Sequence, residues 1–316
     1  MEQNTKVGAV FATYNRKECA LQCLDDLLGQ RRALDRIVVT INGSSDGTGA
    51  AIIERSANNS DRVTVIELPK NVGNPQGTWL AIERALSAGC EWIWLIDDDA
   101  RVAPDALEKL LSVEDLNPNN VYGSLAVDPT TGEMSWPLGV IEHDHSMRIA
   151  SRQSELPITP SFQVRGIWLG ALIPRKIFEE VGPLETRMFI RGEDEEYSAR
   201  IREKKHRFYC IKESVIQHAA QRTIRIPVFG KNYFYQPALP PWKAYFLIRN
   251  HVYVRRKYTS AGKVAGLIRA FGTIVLSIAC AWLFDDHKLK RSLLYLRAGW
   301  HGLTGRLEFR PYGTPT

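Results

Sequence analysis

The stretch that decides the fold is Trp92-Ile93-Trp94-Leu95-Ile96-Asp97-Asp98-Asp99. Its five apolar residues predict a buried strand, and its carboxylates begin where that strand ends. Apolar runs and amphipathic segments alternate before it, in the order 7–13, 17–30, 36–42, 48–57, 63–68 and 75–89. This alternation of strands and helices predicts an α/β fold with a mixed, mainly parallel sheet flanked by helices.

The three adjacent carboxylates indicate a binding site at the end of the fourth strand. Like charges repel, so a fold keeps such a cluster for a purpose, and α/β sheets bind ligands beyond the carboxyl ends of their strands. Alternate residues of an extended segment face the same way, so Asp97 and Asp99 can approach one cation together. Carboxylate oxygens suit Mg²⁺ or Mn²⁺. A solvated acidic turn is the alternative interpretation.

Four short motifs stand at successive predicted strand ends. They are Thr13-Tyr14-Asn15-Arg16, Asn42-Gly43-Ser44-Ser45-Asp46-Gly47-Thr48, Asn71-Val72-Gly73 and Trp94-Leu95-Ile96-Asp97-Asp98-Asp99. In this order and placement they resemble the motifs of glycosyltransferase family 2, whose members are inverting enzymes with the Rossmann-like GT-A fold. The resemblance covers residues 5–220 and is greatest to bacterial rhamnosyl- and galactofuranosyltransferases of surface-polysaccharide assembly, which make O-antigen and cell-wall glycans.

The resemblance implies a pocket for a nucleotide-activated sugar. The donor-binding residues that it implies are Thr13, Tyr14, Asn15, Arg16, Asp46, Asn71, Gly73, Asp98 and Trp168. Asp46 would accept the imide N–H of uracil or thymine, since an ionised carboxylate only accepts hydrogen bonds. Its alternative role is that of a turn residue in Ser45-Asp46-Gly47. Trp168 would stack on a sugar face or else fill the core.

The acceptor side of the family resembles Met188–Tyr197, which contains Gly192-Glu193-Asp194-Glu195-Glu196. The second acid of that motif is the general base, which here is Asp194, and Glu193 would orient the base or bind the acceptor. An inverting transfer needs one base to take the proton of the attacking hydroxyl. Acidic residues also favour a helix N-terminus for electrostatic reasons alone. Related enzymes often carry a bulky aromatic residue where Gly192 stands.

A third metal ligand is implied at His218, which the resemblance places beside Asp97 and Asp99. An imidazole with two carboxylates is a suitable ligand set for Mn²⁺ or Mg²⁺. A single histidine is more often structural, so this assignment depends on the resemblance.

The regular alternation ends near residue 115. Strands are predicted near 121–127, 134–140, 163–173 and 207–211, and helices at 174–181 and 194–204. These segments complete a catalytic domain over residues 1–220 and leave residues 221–316 as a separate C-terminal extension.

The C-terminal extension is basic and largely helical. Residues 221–316 hold 16 Lys and Arg but only 3 Asp and Glu, so they carry a formal charge of +13 in a chain of net charge +6. This excess predicts an anionic partner such as a membrane surface. Residues 264–284 form an apolar run that contains Arg269, which favours an interfacial or a buried helix over a membrane span.

The cysteine pattern points to a reducing compartment. The five cysteines are odd in number and form no C-x-x-C pair, so neither a disulfide framework nor a zinc site is expected. The polar N-terminus at Met1–Lys6 predicts no signal peptide. We therefore expect a cytoplasmic protein that is peripheral on the inner face of the cytoplasmic membrane.

The sequence predicts a metal-dependent hexosyltransferase. It would move galactofuranose, or next rhamnose, from a UDP- or dTDP-sugar to a hydroxyl of a growing, lipid-linked polysaccharide. A sugar-phosphate nucleotidyltransferase is an alternative, but the first strand is followed by Thr13–Lys17 without the glycine-rich loop that a triphosphate requires. A nucleic-acid-binding protein is another alternative, although no nucleic-acid-binding motif occurs and no nucleic-acid partner is expected.

Overall fold

The computed structural model describes residues 5–114, 116–220, 223–228, 231–259, 262–311 and 313–315. The signal-peptide prediction rests largely on residues 1–4, which lie outside this range. The strands are β1 (Val7–Thr13), β2 (Arg36–Asn42), β3 (Val63–Leu68), β4 (Trp92–Leu95), β5 (Arg101–Val102), β6 (Asn120–Val127), β7 (Leu138–Ile141), β8 (Met147–Ala150), β9 (Ser161–Val164), β10 (Ala171–Pro174), β11 (Arg207–Gln217), β12 (Ile224–Val228) and β13 (Lys231–Tyr235).

The helices alternate with the first strands and then dominate the C-terminal region. They are α1 (Lys17–Leu28), α2 (Thr48–Ser56), α3 (Asn74–Ser87), α4 (Ala106–Leu111), α5 (Arg175–Val181), α6 (Glu193–Glu203), α7 (Pro241–Lys257), α8 (Gly262–Phe284) and α9 (Lys288–Thr304). Single 3₁₀ turns occur at Ala57–Asn59, Gln153–Glu155 and Thr186–Met188.

The chain divides into two compact units. The first comprises Met1–Leu184 and Ser198–Ala220, and the second comprises Glu185–Tyr197 and Gln221–Pro315. The predicted division at residue 220 assigned Glu185–Tyr197 to the first region, whereas here this segment groups with the C-terminal region. The physical reason lies in the side chains of α7, as described below.

The first unit is built on one mixed sheet. Its strand order is β3-β2-β1-β4-β10-β6-β11-β9-β7-β8, and β5 pairs with β11. The pairs β2–β3, β1–β2 and β1–β4 are parallel, while β10 runs antiparallel to both of its neighbours. The predicted α/β fold with flanking helices and a helical C-terminal region is confirmed.

Close packing of α3 against the sheet fixes the positions of the strand ends in the first unit. A Cβ at Gly8 on β1 would come within 2.8 Å of the Cys90 sulfur, and a Cβ at Gly77 would lie 3.2 Å from the Cβ of Ala12. The hydroxyl of Thr40 on β2 donates to the Gly77 carbonyl at 2.9 Å. These glycines let α3 lie directly against the sheet, so the loops that follow β1, β2 and β3 start from fixed positions.

Three predicted strands have different bounds in the structure. The run 163–173 is two strands, because Gly170 at φ +72° turns the chain between β9 and β10. The strand predicted from 134 begins only at Leu138, since Pro137 cannot donate to a ladder. The strand predicted to end at Ile211 runs to Gln217, and an irregularity in register between Ile211 and Val215 breaks the alternation that would have revealed it.

The second unit combines an antiparallel hairpin of β12 and β13 with a packed group formed by α7, α8 and α9. Its apolar core includes Tyr245, Phe246, Ile274 and Tyr295. A Cβ at Gly299 would come within 2.4 Å of the Ile274 side chain, so α9 approaches α8 closely. The basic C-terminal region therefore has a hydrophobic core of its own.

Two neighbouring residues of α7 hold the segment that precedes α6. The fully buried guanidinium of Arg249 donates to the carbonyls of Leu307, Phe309 and Met188 at 2.7, 2.9 and 2.9 Å. The amide of Asn250 donates to the Met188, Ile190 and Arg191 carbonyls. Burial lowers the pKa of Arg249 to about 10. These bonds explain why residues 185–197 belong with the C-terminal region.

We expect Arg249→Met to lower the free energy of unfolding by about 3 kcal/mol, because several buried carbonyls lose their donor while the side-chain volume is largely kept. Urea denaturation followed by circular dichroism measures this change. Arg148→Met is the matched control, because Arg148 is exposed and pairs with Glu142 on the surface. Its effect should stay within about 0.5 kcal/mol. Equal losses in the two variants would contradict a structural role for the Arg249 bonds.

Candidate active site

The loops that follow β1 and β2 are bonded to each other. The backbone N–H of Asn15 donates to the Ser44 hydroxyl at 3.0 Å, and the Ser45 N–H donates to the Asn15 side chain at 2.8 Å. Asn15 adopts φ +51°, which asparagine tolerates better than most residues. Thr13 is buried at the end of β1 and Tyr14 is half-buried. The predicted donor residues 13–16 thus stand on a rigid edge.

Asp46 links the starts of two helices. Its carboxylate accepts hydrogen bonds from the Thr48 N–H at 3.1 Å and from the Lys17 N–H at 3.3 Å. Desolvation alone would raise its pKa, but these hydrogen bonds outweigh it and lower the pKa. The Thr48 hydroxyl also donates a hydrogen bond to Asp46. The carboxylate is exposed and ionised, and it is also a structural turn residue.

The loop after β3 is held by a residue that sequence analysis named only as part of a motif. The Asn42 side chain accepts from the Val72 N–H at 2.9 Å and donates to the Gly73 carbonyl at 3.0 Å. Asn71 is buried and accepts from the Gly73 N–H at 2.9 Å, with Gly73 at φ +99°. Asn42 is the last residue of β2, and this strand-end position was the signal that could have revealed its role.

Arg16 offsets the repulsion within the acidic triad. Its guanidinium lies 3.0 Å from a carboxylate oxygen of Asp98 and 2.6 Å from one of Asp99. Burial raises the pKa of Asp98, and the charge of Arg16 opposes that rise. Burial likewise opposes ionisation of Asp99, yet His218 and Arg16 lower the pKa of Asp99 to about 2. Arg16 is predicted to line the nucleotide pocket, and its pairing with Asp98 and Asp99 was not predicted.

The three predicted metal ligands lie together. One ligand atom from each of Asp97, Asp99 and His218 falls within 4.8 Å of the others, and His218 Nε2 is 3.3 Å from Asp99 Oδ1. His218 follows β11, where its N–H donates to Val127 at 2.9 Å and its carbonyl accepts from Ser135 at 2.7 Å. The hydrogen bond with Asp99 raises the pKa of His218 although burial opposes it. Two carboxylates and an imidazole fit the donor set that Mn²⁺ or Mg²⁺ takes.

Trp168 lies in the loop between β9 and β10 and is half-buried. The same loop is fastened to the strand that carries the triad: the Gly170 N–H donates to the Leu95 carbonyl at 2.8 Å, and the Trp94 indole donates to the Gly170 carbonyl at 3.1 Å. A Cβ at Gly170 would clash with Ile216 and Ser124. The loop that bears Trp168 is therefore positioned against the end of β4.

The second unit carries the other predicted acids at the start of α6. Three of the four residues before Glu193 have positive φ: Phe189 at +65°, Arg191 at +67° and Gly192 at +86°. Such backbone strain is often retained at functional sites. A Cβ at Gly192 would lie 3.0 Å from the Cβ of Asn250, and the φ of +86° also favours glycine at this position.

The two acids that sequence analysis assigned to catalysis differ in environment. Glu193 is buried, with 7% of its surface exposed, and Asp194 is partly buried. Desolvation raises the pKa of Asp194, and the charge of Glu195 raises it further. A carboxyl with a raised pKa holds a proton more readily, which suits a general base.

A cavity of about 210 Å³ lies beside Glu195 within the second unit. Its aromatic lining includes Tyr233, Phe234, Tyr235 and Tyr295, and its polar lining includes Glu195, His251 and Arg255. His251 Nε2 is 3.7 Å from Glu195 Oε1, and burial lowers the pKa of His251. Flat aromatic faces next to hydrogen-bonding groups suit a ligand with both C–H surfaces and hydroxyls.

Comparison with known sequences identifies similar proteins over most of the chain. Residues 9–182, more than half of the chain, match the sequence model of Glycosyl transferase family 2. Galactofuranosyltransferase GlfT1 of Mycobacterium tuberculosis (strain H37Rv) is 27% identical over 258 residues, which cover 78% of this chain and 81% of that protein. The dTDP-rhamnosyl transferase RfbF of Shigella flexneri is 22% identical over 255 residues, covering 80% and 81%.

A solved structure shares the fold at low sequence identity. The mannosyltransferase PcManGT from Pyrobaculum calidifontis, solved with GDP-Man and Mn²⁺, superposes with a TM-score of 0.56 at 16% identity. The match covers 96% of this chain and 89% of that one. At this identity the likeness concerns the fold alone.

Proposed function

This chain belongs to glycosyl transferase family 2, and we propose that it is an inverting hexosyltransferase that takes its sugar from a UDP- or dTDP-activated donor. The observation that carries the proposal is the cluster of Asp97, Asp99 and His218 at the carboxyl end of β4. Membership of this family argues against the alternative of a sugar-phosphate nucleotidyltransferase.

The donor half of the reaction belongs to the first unit. Asp97, Asp99 and His218 would hold a divalent cation, Mn²⁺ or Mg²⁺, and such a cation stabilises negative charge on the departing diphosphate. Asp98 and Arg16 stand next to this cluster. The rigid loops at Thr13–Arg16, Asp46, Asn71 and Gly73 would line the nucleotide pocket, and Trp168 would lie over the sugar.

The acceptor half belongs to the second unit. We propose that Asp194 takes the proton of the attacking hydroxyl and that Glu193 orients it. The cavity beside Glu195 supports a place for the acceptor glycan, because tyrosine faces can pack on sugar C–H groups while Glu195, His251 and Arg255 reach hydroxyls. With one carboxylate, one guanidinium and a histidine of lowered pKa, its lining suits an uncharged ring.

The proposed substrate pair is a galactofuranosyl donor and a growing polysaccharide. Relatives named for galactofuranosyl and rhamnosyl transfer support a hexose donor. Galactofuranose is placed first because the galactofuranosyltransferase has the higher sequence identity, 27% against 22%. The acceptor would be a lipid-linked glycan of O-antigen or cell-wall type, made on the inner face of the cytoplasmic membrane. The formal charge of +13 on residues 221–316 supports this location, since basic segments are attracted to anionic lipids.

A donor panel tests this proposal directly. We expect UDP-galactofuranose to be hydrolysed or bound at least about tenfold better than dTDP-rhamnose, UDP-galactopyranose and GDP-mannose in the presence of Mn²⁺ or Mg²⁺. Product release followed by chromatography and binding followed by calorimetry are the two measurements. Preference for dTDP-rhamnose would reverse the order of the two sugars. Turnover of none of the nucleotide-sugars, in the presence of glycan acceptors, would reject the hexosyltransferase assignment.

A further inference from the structure

The outer face of α8 is apolar along its whole length. Val264, Ile268, Phe271 and Val275 follow one another at helical spacing, and all are exposed, Val264 to 71%. The opposite face packs inside the second unit through small residues such as Gly266, with Ala270 fully buried. The exposed side chains therefore form a stripe with no protein partner among the described residues.

The outer face of α9 continues this stripe. Leu289, Leu293, Leu296 and Trp300 recur at intervals of three or four residues, and Leu289 and Leu293 are 70% and 68% exposed. The two helices meet where the Trp282 indole of α8 donates to the Ser292 hydroxyl of α9 at 3.0 Å. The two apolar stripes thus lie side by side on one surface, which we call the α8–α9 face.

Basic side chains border the α8–α9 face. At 3.6 residues per turn, Lys263 and Arg269 fall on opposite flanks of the α8 stripe, and both are exposed. On α9, Lys290 and Arg297 are both exposed and, being seven residues apart, lie on the same flank of the stripe. Long basic side chains can lay their aliphatic stems on apolar surface while their charges reach lipid headgroups. Two copies of this face would bring like charges together, so the border favours an anionic bilayer over self-association.

The helices lie along such a bilayer better than they cross it. In the part of the chain that the structure describes, the 23-residue helix α8 is the one helix long and apolar enough to cross a membrane, and its apolar window of 18 residues has a mean hydropathy of 2.0. A third of that apolar window is nevertheless buried in protein, and Arg269 lies within the helix. An in-plane helix keeps its buried face on the protein and its charged flanks in the headgroup layer.

We propose that the α8–α9 face docks on an anionic membrane by inserting its joint apolar stripe into the boundary between headgroups and acyl chains, with α8 lying in the membrane plane. This goes beyond the proposed sugar transfer, because the docking surface is separate from every residue assigned to chemistry. It also differs from simple electrostatic attraction, since the apolar contact resists salt while charge contacts are screened.

The test uses the full-length protein and vesicles of phosphatidylcholine mixed with phosphatidylglycerol. In a flotation assay we expect Leu289→Glu/Leu293→Glu to partition at least about tenfold more weakly than the wild type, because two inserted apolar side chains become anionic. Ile53→Glu/Ile158→Glu is the matched control: it adds the same charge at residues 47% and 99% exposed in the first unit. This control should float like the wild type, and the bound wild type should survive a high-salt wash.

Insertion depth gives a second, independent readout. Bromine placed high on the acyl chains should quench tryptophan fluorescence strongly, and Trp282→Phe/Trp300→Phe should remove that quenching. Equal flotation of the wild type and Leu289→Glu/Leu293→Glu would overturn the proposal. Wild-type protein that does not float with the vesicles would also overturn it. This holds whether that protein is a monomer or a dimer that the double substitution dissociates. Strongest quenching from bromine at the bilayer centre would overturn the in-plane arrangement. Donor binding measured without vesicles stays normal in every case, which separates this proposal from the proposed function.

Discussion

Sugar transfer should fall by roughly a thousandfold in Asp99→Ala, since a cation contact in the transition state is worth several kcal/mol. Asp99 contacts both Arg16 and His218 at the proposed cation site. The Arg16–Asp98 pair remains in the variant, and the fold should be kept. Initial rates with a saturating donor, measured across a Mn²⁺ titration, give the effect.

Chelator and a matched variant make this result specific. Excess chelator should silence the wild-type enzyme, and added Mn²⁺ or Mg²⁺ should restore it. Asp61→Ala removes an exposed aspartate elsewhere in the first unit and should leave the rate unchanged. A wild-type rate that persists in excess chelator would refute the metal role of the cluster.

Asp194→Asn should stop transfer while donor binding is kept. General-base catalysis contributes about a hundredfold to ten-thousandfold, and the amide keeps the shape of the side chain without its basicity. Burial raises the pKa of Asp194, so this carboxylate is protonated at a higher pH than an ordinary aspartate. As the pH is lowered, the wild-type rate should therefore begin to fall at a correspondingly higher pH. The residual rate of the variant should lack this pH dependence.

Turnover, donor affinity and the pH profile of the rate are measured for the wild type, for Asp194→Asn and for a control variant. Glu203→Gln is the control, because it removes an exposed charge at the other end of the same helix. Its turnover and pH profile should match the wild type. An Asp194→Asn enzyme with normal turnover, or one that has also lost donor binding, would contradict the assignment of Asp194 as the base.

The strand ends could be predicted because they follow from local pattern. Apolar runs such as Trp92–Ile96 identify buried strands, and parallel strands present their carboxyl ends at one edge. Asp97 and Asp99 follow directly from that reasoning. His218 does not, since it reaches the triad only through the long strand β11, whose irregular register hid its true end. Its placement came from family resemblance.

The supporting contacts could not be predicted because they join distant residues through single side chains. Arg249 stands in unremarkable surroundings in the sequence, yet it donates to backbone carbonyls 58 and 60 residues away. The same applies to Arg16, which the family resemblance assigns to the nucleotide pocket and which pairs with Asp98 in the structure. Long-range hydrogen bonds leave no periodic trace in a sequence.

The narrow gap between Gly192 and Asn250 has a consequence for enzyme engineering. Asn250 donates to three carbonyls of the preceding turn, and its Cβ lies only 3.0 Å from where a Cβ at position 192 would stand. A chimera that carries a relative's aromatic residue at position 192 would place that side chain against Asn250. This would disturb the hydrogen bonds by which Asn250 holds the turn. Positions 192 and 250 should therefore be exchanged as a pair, and their substitutions should be strongly non-additive.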